Sequence, residues 1–222
     1  TRRRFSAKPY LRADFGLPDN AFVYCCFNNT YKLNPDIFVR WMRILAVVPD
    51  SVLWLLAGPN VARTHLQDEA KKHGIDPSRL IFGERLPPDE YLARYRFADL
   101  FLDTLPFNGG TTASDALMAG LPVLTQLGHS FAGRMAASVL RAAGMPELVT
   151  THSKDYDDLA VRLAVEPSLA LATKSKVARA RANAPLFNMH AYTRHFEAAM
   201  EQMLKHHRTG LTPQALAINA SM

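Results

Sequence analysis

Cysteine is nearly missing from this sequence. Cys25 and Cys26 are its only two, and adjacent cysteines rarely pair. A disulfide framework is therefore excluded, and a reducing cytoplasm is the expected compartment. Long apolar runs are missing as well: none approaches the roughly 20 residues that cross a bilayer. Arg2-Arg3-Arg4 leads into Phe-Ser-Ala-Lys-Pro rather than into the apolar segment of a signal peptide. The eight histidines show no metal-ligand spacing, and no metal is expected. No G-x-S-x-G, P-loop or G-x-G-x-x-G occurs, which speaks against a nicotinamide site. There is also no basic stripe interleaved with aromatics. The net charge is +6, but Lys and Arg are scattered apart from Arg2–Arg4 and the Arg179/Arg181 region, which read as solvated faces. Nucleic acid is thus not the expected partner, whereas a phosphorylated small ligand suits the excess base.

What the chain does have is a full core. Of its 222 residues, 48% are apolar and 21% charged, as in an ordinary folded domain. It opens on Thr1 rather than Met, and is expected to be a piece of something longer. Continuous apolar runs at 21–27, 52–57, 80–82, 98–102, 122–125 and 147–149 read as strands. Continuous runs, as opposed to alternating ones, are what helices on both faces of a sheet require. Helical patterns fall at 35–48, 61–73, 89–96, 112–119, 131–143, 154–165, 169–182 and 191–207. The fold class is therefore α/β, a doubly wound, mostly parallel, Rossmann-like sheet. Residues 1–19, with Pro9 and Pro18, read as a lead-in, 20–207 as the domain, and 208–222 as a tail expected to be mobile.

In such sheets ligands sit beyond the carboxyl ends of the strands, in loops that lead into helix N-termini. The most informative of these loops is in LDTLPFNGGTTASDALMAGLPVLT, residues 102–125. Gly109 and Gly110 let backbone approach a ligand closely. Thr111 and Thr112 can cap the following helix, whose free amides and positive dipole end make an anion site. Asp115 has two readings: the acid of a capping box with Thr112, which needs no ligand, or an acceptor for the two hydroxyls of a ribose. Lys32 leaves the strand-to-helix loop at Asn28-Asn29-Thr30, before a helix that Asn34 caps and Pro35 opens. In GERLPPDEY, Tyr91 and Arg94 could hold a base by ring or guanidinium stacking. Asp155-Tyr-Asp157 resembles a metal-binding D-x-D, but it lies in a first helical turn, where the dipole favours acids anyway, and is read as structural.

Gly-Gly-Thr-Thr-x-x-Asp-x-x-x-x-Gly-x-Pro-Val resembles the nucleotide-sugar signature in the C-terminal half of the B-type glycosyltransferase fold. FNNTYKLNPD, VPDSVLWLL, ADLFLDT, NGGTTASDALMAGLPVLT, GRMAASVL and APLFN resemble, in order, blocks of the O-linked N-acetylglucosamine transferases. The resemblance spans about Phe22 to Met203. It implies UDP-N-acetylglucosamine as donor, a protein serine or threonine hydroxyl as acceptor, and no metal cofactor. It matches Lys32 to the lysine that neutralises the leaving diphosphate, Thr111 and Thr112 to the diphosphate ligands, and Asp115 to the ribose acid. The loop around Leu86, with Arg94, matches the uracil pocket. Asn29 stands where eukaryotic members carry glutamine, Tyr91 where they carry histidine, and Phe107 and Gly110 replace polar residues, which points to a bacterial member. The family also places tetratricopeptide repeats and an N-terminal catalytic lobe outside a segment like this one. A UDP-sugar epimerase on the same fold and a non-catalytic nucleotide-sugar-binding domain are the competing readings.

Overall fold

A computed structural model describes residues 4–218. Arg2 and Arg3 of the basic run, and 219–222 of the tail, lie outside the described residues. The strands are β1 (Phe22–Cys26), β2 (Ser51–Leu56), β3 (Leu80–Gly83), β4 (Leu100–Leu102), β5 (Val123–Gln126) and β6 (Val149–Thr150). They form one parallel sheet in the order β3-β2-β1-β4-β5-β6. The helices are α1 (Pro35–Val47), α2 (Asn60–Lys72), α3 (Pro88–Arg94), α4 (Thr111–Met118), α5 (Phe131–Ala142), α6 (Ser153–Val165), α7 (Pro167–Asn183) and α8 (Met189–Arg208). The expected Rossmann-like α/β sheet is what forms.

The central strands follow from their composition. Every residue of β2, SVLWLL, is buried, as are four of the five residues of β1. This is the pattern of strands covered on both faces. Trp41 of α1 and Trp54 of β2 are completely inaccessible. Arg79 ties off α1, donating to the Leu45 and Val48 carbonyls at 2.8 Å each and so satisfying acceptors at the helix end. The last strand sits later than its apolar run suggests, because Pro146–Leu148 forms a 3-10 turn and β6 begins only at Val149.

The lead-in is packed onto this body. Phe15 lies 5.2 Å, ring to ring, from Trp54 and 5.3 Å from Phe97, and Leu17 is buried. Arg12 donates to the Ala21 carbonyl at 2.7 Å and to Asp99 at 3.2 Å. Strand order reverses direction at the β1/β4 boundary, and that is where a doubly wound sheet opens its ligand crevice.

Candidate functional site

Two loops meet at that boundary. The first follows β1 and runs through a 3-10 turn at Thr30–Lys32 into α1. Asn34 caps α1 as its sequence position suggests: its side-chain oxygen accepts from the Ile37 amide at 3.0 Å. Its Nδ2 reaches across to the Leu105 carbonyl at 2.7 Å, tying this loop to the one after β4.

The second loop runs from Asp103 to Gly110 and is built on buried polar residues that the sequence did not single out. Asp103 is 1% exposed. Its Oδ1 accepts from the Gly109 amide at 2.6 Å and from Asn28 Nδ2 at 3.2 Å, and its Oδ2 from the Thr125 hydroxyl at 2.7 Å. Burial pushes its carboxyl up to about 6, with these donors pulling the other way. Asn28 Nδ2 also donates to Thr104 Oγ1 at 2.8 Å, and Asn28 Oδ1 accepts from the Thr112 hydroxyl. Tyr156 braces the network from α6, donating to the Asp103 carbonyl at 3.0 Å. Gly109 has no room for a side chain: a Cβ there would stand 2.5 Å from Thr112 Oγ1 and 3.1 Å from Asp103 Oδ1.

This network sets where α4 begins. The helix starts at Thr111, with Gly110 as its N-cap and no capping side chain. Two expectations are corrected here. Thr111 and Thr112 do not cap the helix, and Thr112-x-x-Asp115 does not form a capping box, because Thr112 is already the second helical residue. The first amides of a helix have no intrahelical partners. Left uncapped by side chains, they present the positive end of α4 to the crevice. The Thr111 side chain is exposed, whereas the Thr112 hydroxyl is engaged by Asn28. Of that pair, Thr111 is the one whose hydroxyl no side chain among the described residues holds.

Lys32 brings the cation. Its ammonium donates to the Asn108 carbonyl at 2.8 Å and lies 3.8 Å from the centre of the Phe107 ring. The lysine of the β1 loop is thus docked on the β4 loop, next to the residues that lead into α4.

The third loop, after β3, forms the other wall. Leu86 is half-buried in it, and Arg85 joins it to the β1 loop by donating to Asn29 Oδ1 at 3.1 Å. Tyr91 on α3 meets Tyr95 hydroxyl to hydroxyl at 2.5 Å. A cavity of about 390 Å³ is lined by Tyr91, Thr111, Asp115, Pro88, Leu92 and Arg4. Arg94 corrects the expectation of a guanidinium stacked on a base. It is completely buried, 3.7 Å from the centre of the Phe27 ring and 4.7 Å from that of Tyr91. There it donates to the Glu84 carbonyl at 2.9 Å, supporting the loop from beneath. The Asp155-Tyr-Asp157 segment is structural as read: Asp157 pairs with Arg40 Nε at 2.9 Å. Among the described residues no three His, Cys, Asp or Glu side chains converge on one point.

The doubly wound parallel sheet and the helices that cover it have the fold of a glycosyltransferase lobe. The chain superposes on a lysine-to-methionine mutant of the Thermobaculum terrenum O-GlcNAc transferase with a TM-score of 0.79 at 31% identity, over 83% of this chain and 36% of that one. The chain belongs to glycosyl transferase family 41, whose family model matches residues 9–196. It is 38% identical over 200 residues to the Caenorhabditis elegans UDP-N-acetylglucosamine–peptide N-acetylglucosaminyltransferase, covering 90% of this chain and 17% of that protein. It is 35% identical over 211 residues to the probable enzyme of the same name, SEC, of Arabidopsis thaliana, covering 94% of this chain and 21% of that protein. The chain thus spans about a fifth of the length of these relatives.

Proposed function

We propose that this chain is the donor-binding part of a longer transferase that moves N-acetylglucosamine from UDP to a serine or threonine hydroxyl of a protein. One observation carries the proposal: the Lys32 ammonium of the β1 loop is held by the Asn108 carbonyl, two residues before the Gly110 N-cap from which the α4 amides start. In the reaction the bond between the sugar's anomeric carbon and the diphosphate oxygen breaks, and its electron pair leaves with UDP. The acceptor oxygen bonds to that carbon and gives its proton to a group outside these residues. Amides of α4, the Thr111 hydroxyl and Lys32 are oriented before the reaction to take up the charge that grows on the diphosphate. Asp115, at one side of the cavity, holds the ribose. Tyr91 and the loop around Leu86 close over the base.

The repeats and N-terminal lobe expected for the family would supply the acceptor site. Two free, buried thiols, Cys25 and Cys26, suit a reducing cytoplasm. No helix of the described residues is long and apolar enough to cross a membrane. The relatives' names favour the transferase over the epimerase reading.

Because Lys32 and the helix amides supply positive charge to the diphosphate, binding should not need a divalent metal. UDP and UDP-N-acetylglucosamine are expected to bind in calorimetric titrations run in excess chelator. Heat that appears only on adding magnesium or manganese would overturn the metal-independent mechanism.

The loop itself is open to a second test. Gly109→Ala forces its methyl against Thr112 Oγ1 and Asp103 Oδ1, which should cost about 1–3 kcal/mol of stability and shift the start of α4. UDP affinity should then fall about tenfold or more, since anion contacts tolerate little displacement. Unchanged UDP affinity in a folded Gly109→Ala protein would remove this loop from the anion site.

A further inference from the structure

We infer that Phe107 is a positioning residue for Lys32: its ring face and the Asn108 carbonyl form a seat that holds the ammonium in place. The inference rests on the reading of Lys32 as the cation that meets the departing diphosphate.

The geometry is that of a built seat. The ammonium stands 3.8 Å from the ring centre, well inside the roughly 6 Å reach of a cation–π attraction. The Asn108 carbonyl holds the same nitrogen at 2.8 Å. Ring and carbonyl belong to consecutive residues, so one stretch of backbone sets both contacts, and that backbone is pinned. The Phe107 carbonyl accepts from the Thr104 hydroxyl at 2.6 Å. Asn108, 1% exposed, donates its amide to the Ala132 carbonyl at 3.0 Å and its Nδ2 to the Thr104 carbonyl at 2.7 Å. Tyr31, the neighbour of Lys32, packs its ring 6.3 Å from that of Phe107, so the aromatic contact also bridges the two loops.

Such a seat has a chemical use. A lysine side chain has a flexible four-carbon stem, and fixing it in the transition state costs rotamer entropy. Holding it on a ring moves that cost into folding. The ring accepts the charge through its face without consuming an N–H in a conventional hydrogen bond, and an ammonium has three. Donor capacity for diphosphate oxygens therefore remains after Asn108 is satisfied. A purely apolar side chain at 107 would cover the same stem without attracting the charge.

The test separates ring electronics from ring size. Phenylalanine at 107 is replaced in the complete transferase by its 4-fluoro, 3,5-difluoro and 3,4,5-trifluoro forms, which drain the negative ring face with little change of shape. Turnover number is expected to fall stepwise with fluorination, by about two- to fivefold overall for a partly exposed contact. The KM for UDP-N-acetylglucosamine should stay within about twofold, because the ring acts through Lys32 and does not touch the donor. Phe107→Leu should reproduce the loss, and Phe107→Tyr should restore turnover. A flat or rising kcat across the series would overturn the inference, as would loss confined to KM. Lys32→Met, measured alongside, distinguishes the two levels. If it abolishes turnover while the fluorinated series is flat, only the seat is wrong. If it leaves turnover intact, the reading of Lys32 falls and the seat with it.

Discussion

Lys32→Met is expected to lower the turnover of the complete transferase by about a hundredfold or more while weakening UDP binding much less. The magnitude comes from the cost of removing one preorganised charge-stabilising group from an active site, about 2.7–4 kcal/mol of transition-state energy. The asymmetry comes from timing. Charge on the diphosphate grows as the glycosidic bond breaks, so a cation beside it is worth more in the transition state than in the bound donor. The amides of α4 and the Thr111 hydroxyl remain in the variant and keep a foothold for ground-state binding. The substitution should also be well tolerated by the fold, since a methionine can lie on the Phe107 ring through its sulfur. Lys32→Arg should rescue poorly, because a planar guanidinium cannot occupy the compact position between the Phe107 ring and the Asn108 carbonyl. Single-turnover kinetics of the three proteins, with calorimetry for UDP, measure both effects. Turnover near the parent value in a folded Lys32→Met enzyme would leave the helix as sole anchor of the diphosphate.

The parts of this site that were legible in the sequence are those that depend on local chemistry. Asn34-Pro35 reads as a helix start and forms one. The apolar runs read as buried strands, and β1 and β2 are. What was not legible depends on partners far along the chain. Asn28 looks like an ordinary turn residue, and only the sheet order places it against Asp103, 75 positions away. Asp103 itself looks like a strand-ending acid, and its burial shows only once Thr125, Gly109 and Tyr156 close around it. Arg94 has the appearance of a surface arginine on a short helix, and nothing local reveals that Phe27 and Tyr91 enclose it. The start of α4 was misplaced for a related reason. Two consecutive threonines read as candidate caps, yet neither serves: the helix starts at Thr111 on Gly110, and the Thr112 hydroxyl goes to Asn28, 84 positions away.

That shift in helix start sharpens the forecast for Asp115→Asn. With no capping box to break, the substitution keeps the shape of the side chain and exchanges a carboxylate for an amide at the fifth helical residue, beyond the first turn where the dipole acts strongly. Its effect on thermal stability should be about 1 kcal/mol, the scale of one hydrogen bond. Its effect on UDP should be larger. Asp115 is 6% exposed and lines the cavity beside Thr111 and Tyr91, where a carboxylate can accept from both hydroxyls of a ribose. An amide offers one good acceptor and presents N–H groups to the second hydroxyl. Hydrogen bonds to a charged group contribute about 1.5–3 kcal/mol, so UDP affinity should fall about tenfold to a hundredfold. Deoxygenated ligands make the assignment specific. The parent protein should bind 2′-deoxy-UDP more weakly than UDP, and Asp115→Asn should discriminate much less between them, since the two changes remove the same contact. Additive losses would mean that Asp115 and the ribose hydroxyl act independently. Equal binding of UDP by the parent and the variant would make Asp115 a structural acid, and the ribose would have to be held elsewhere in the crevice.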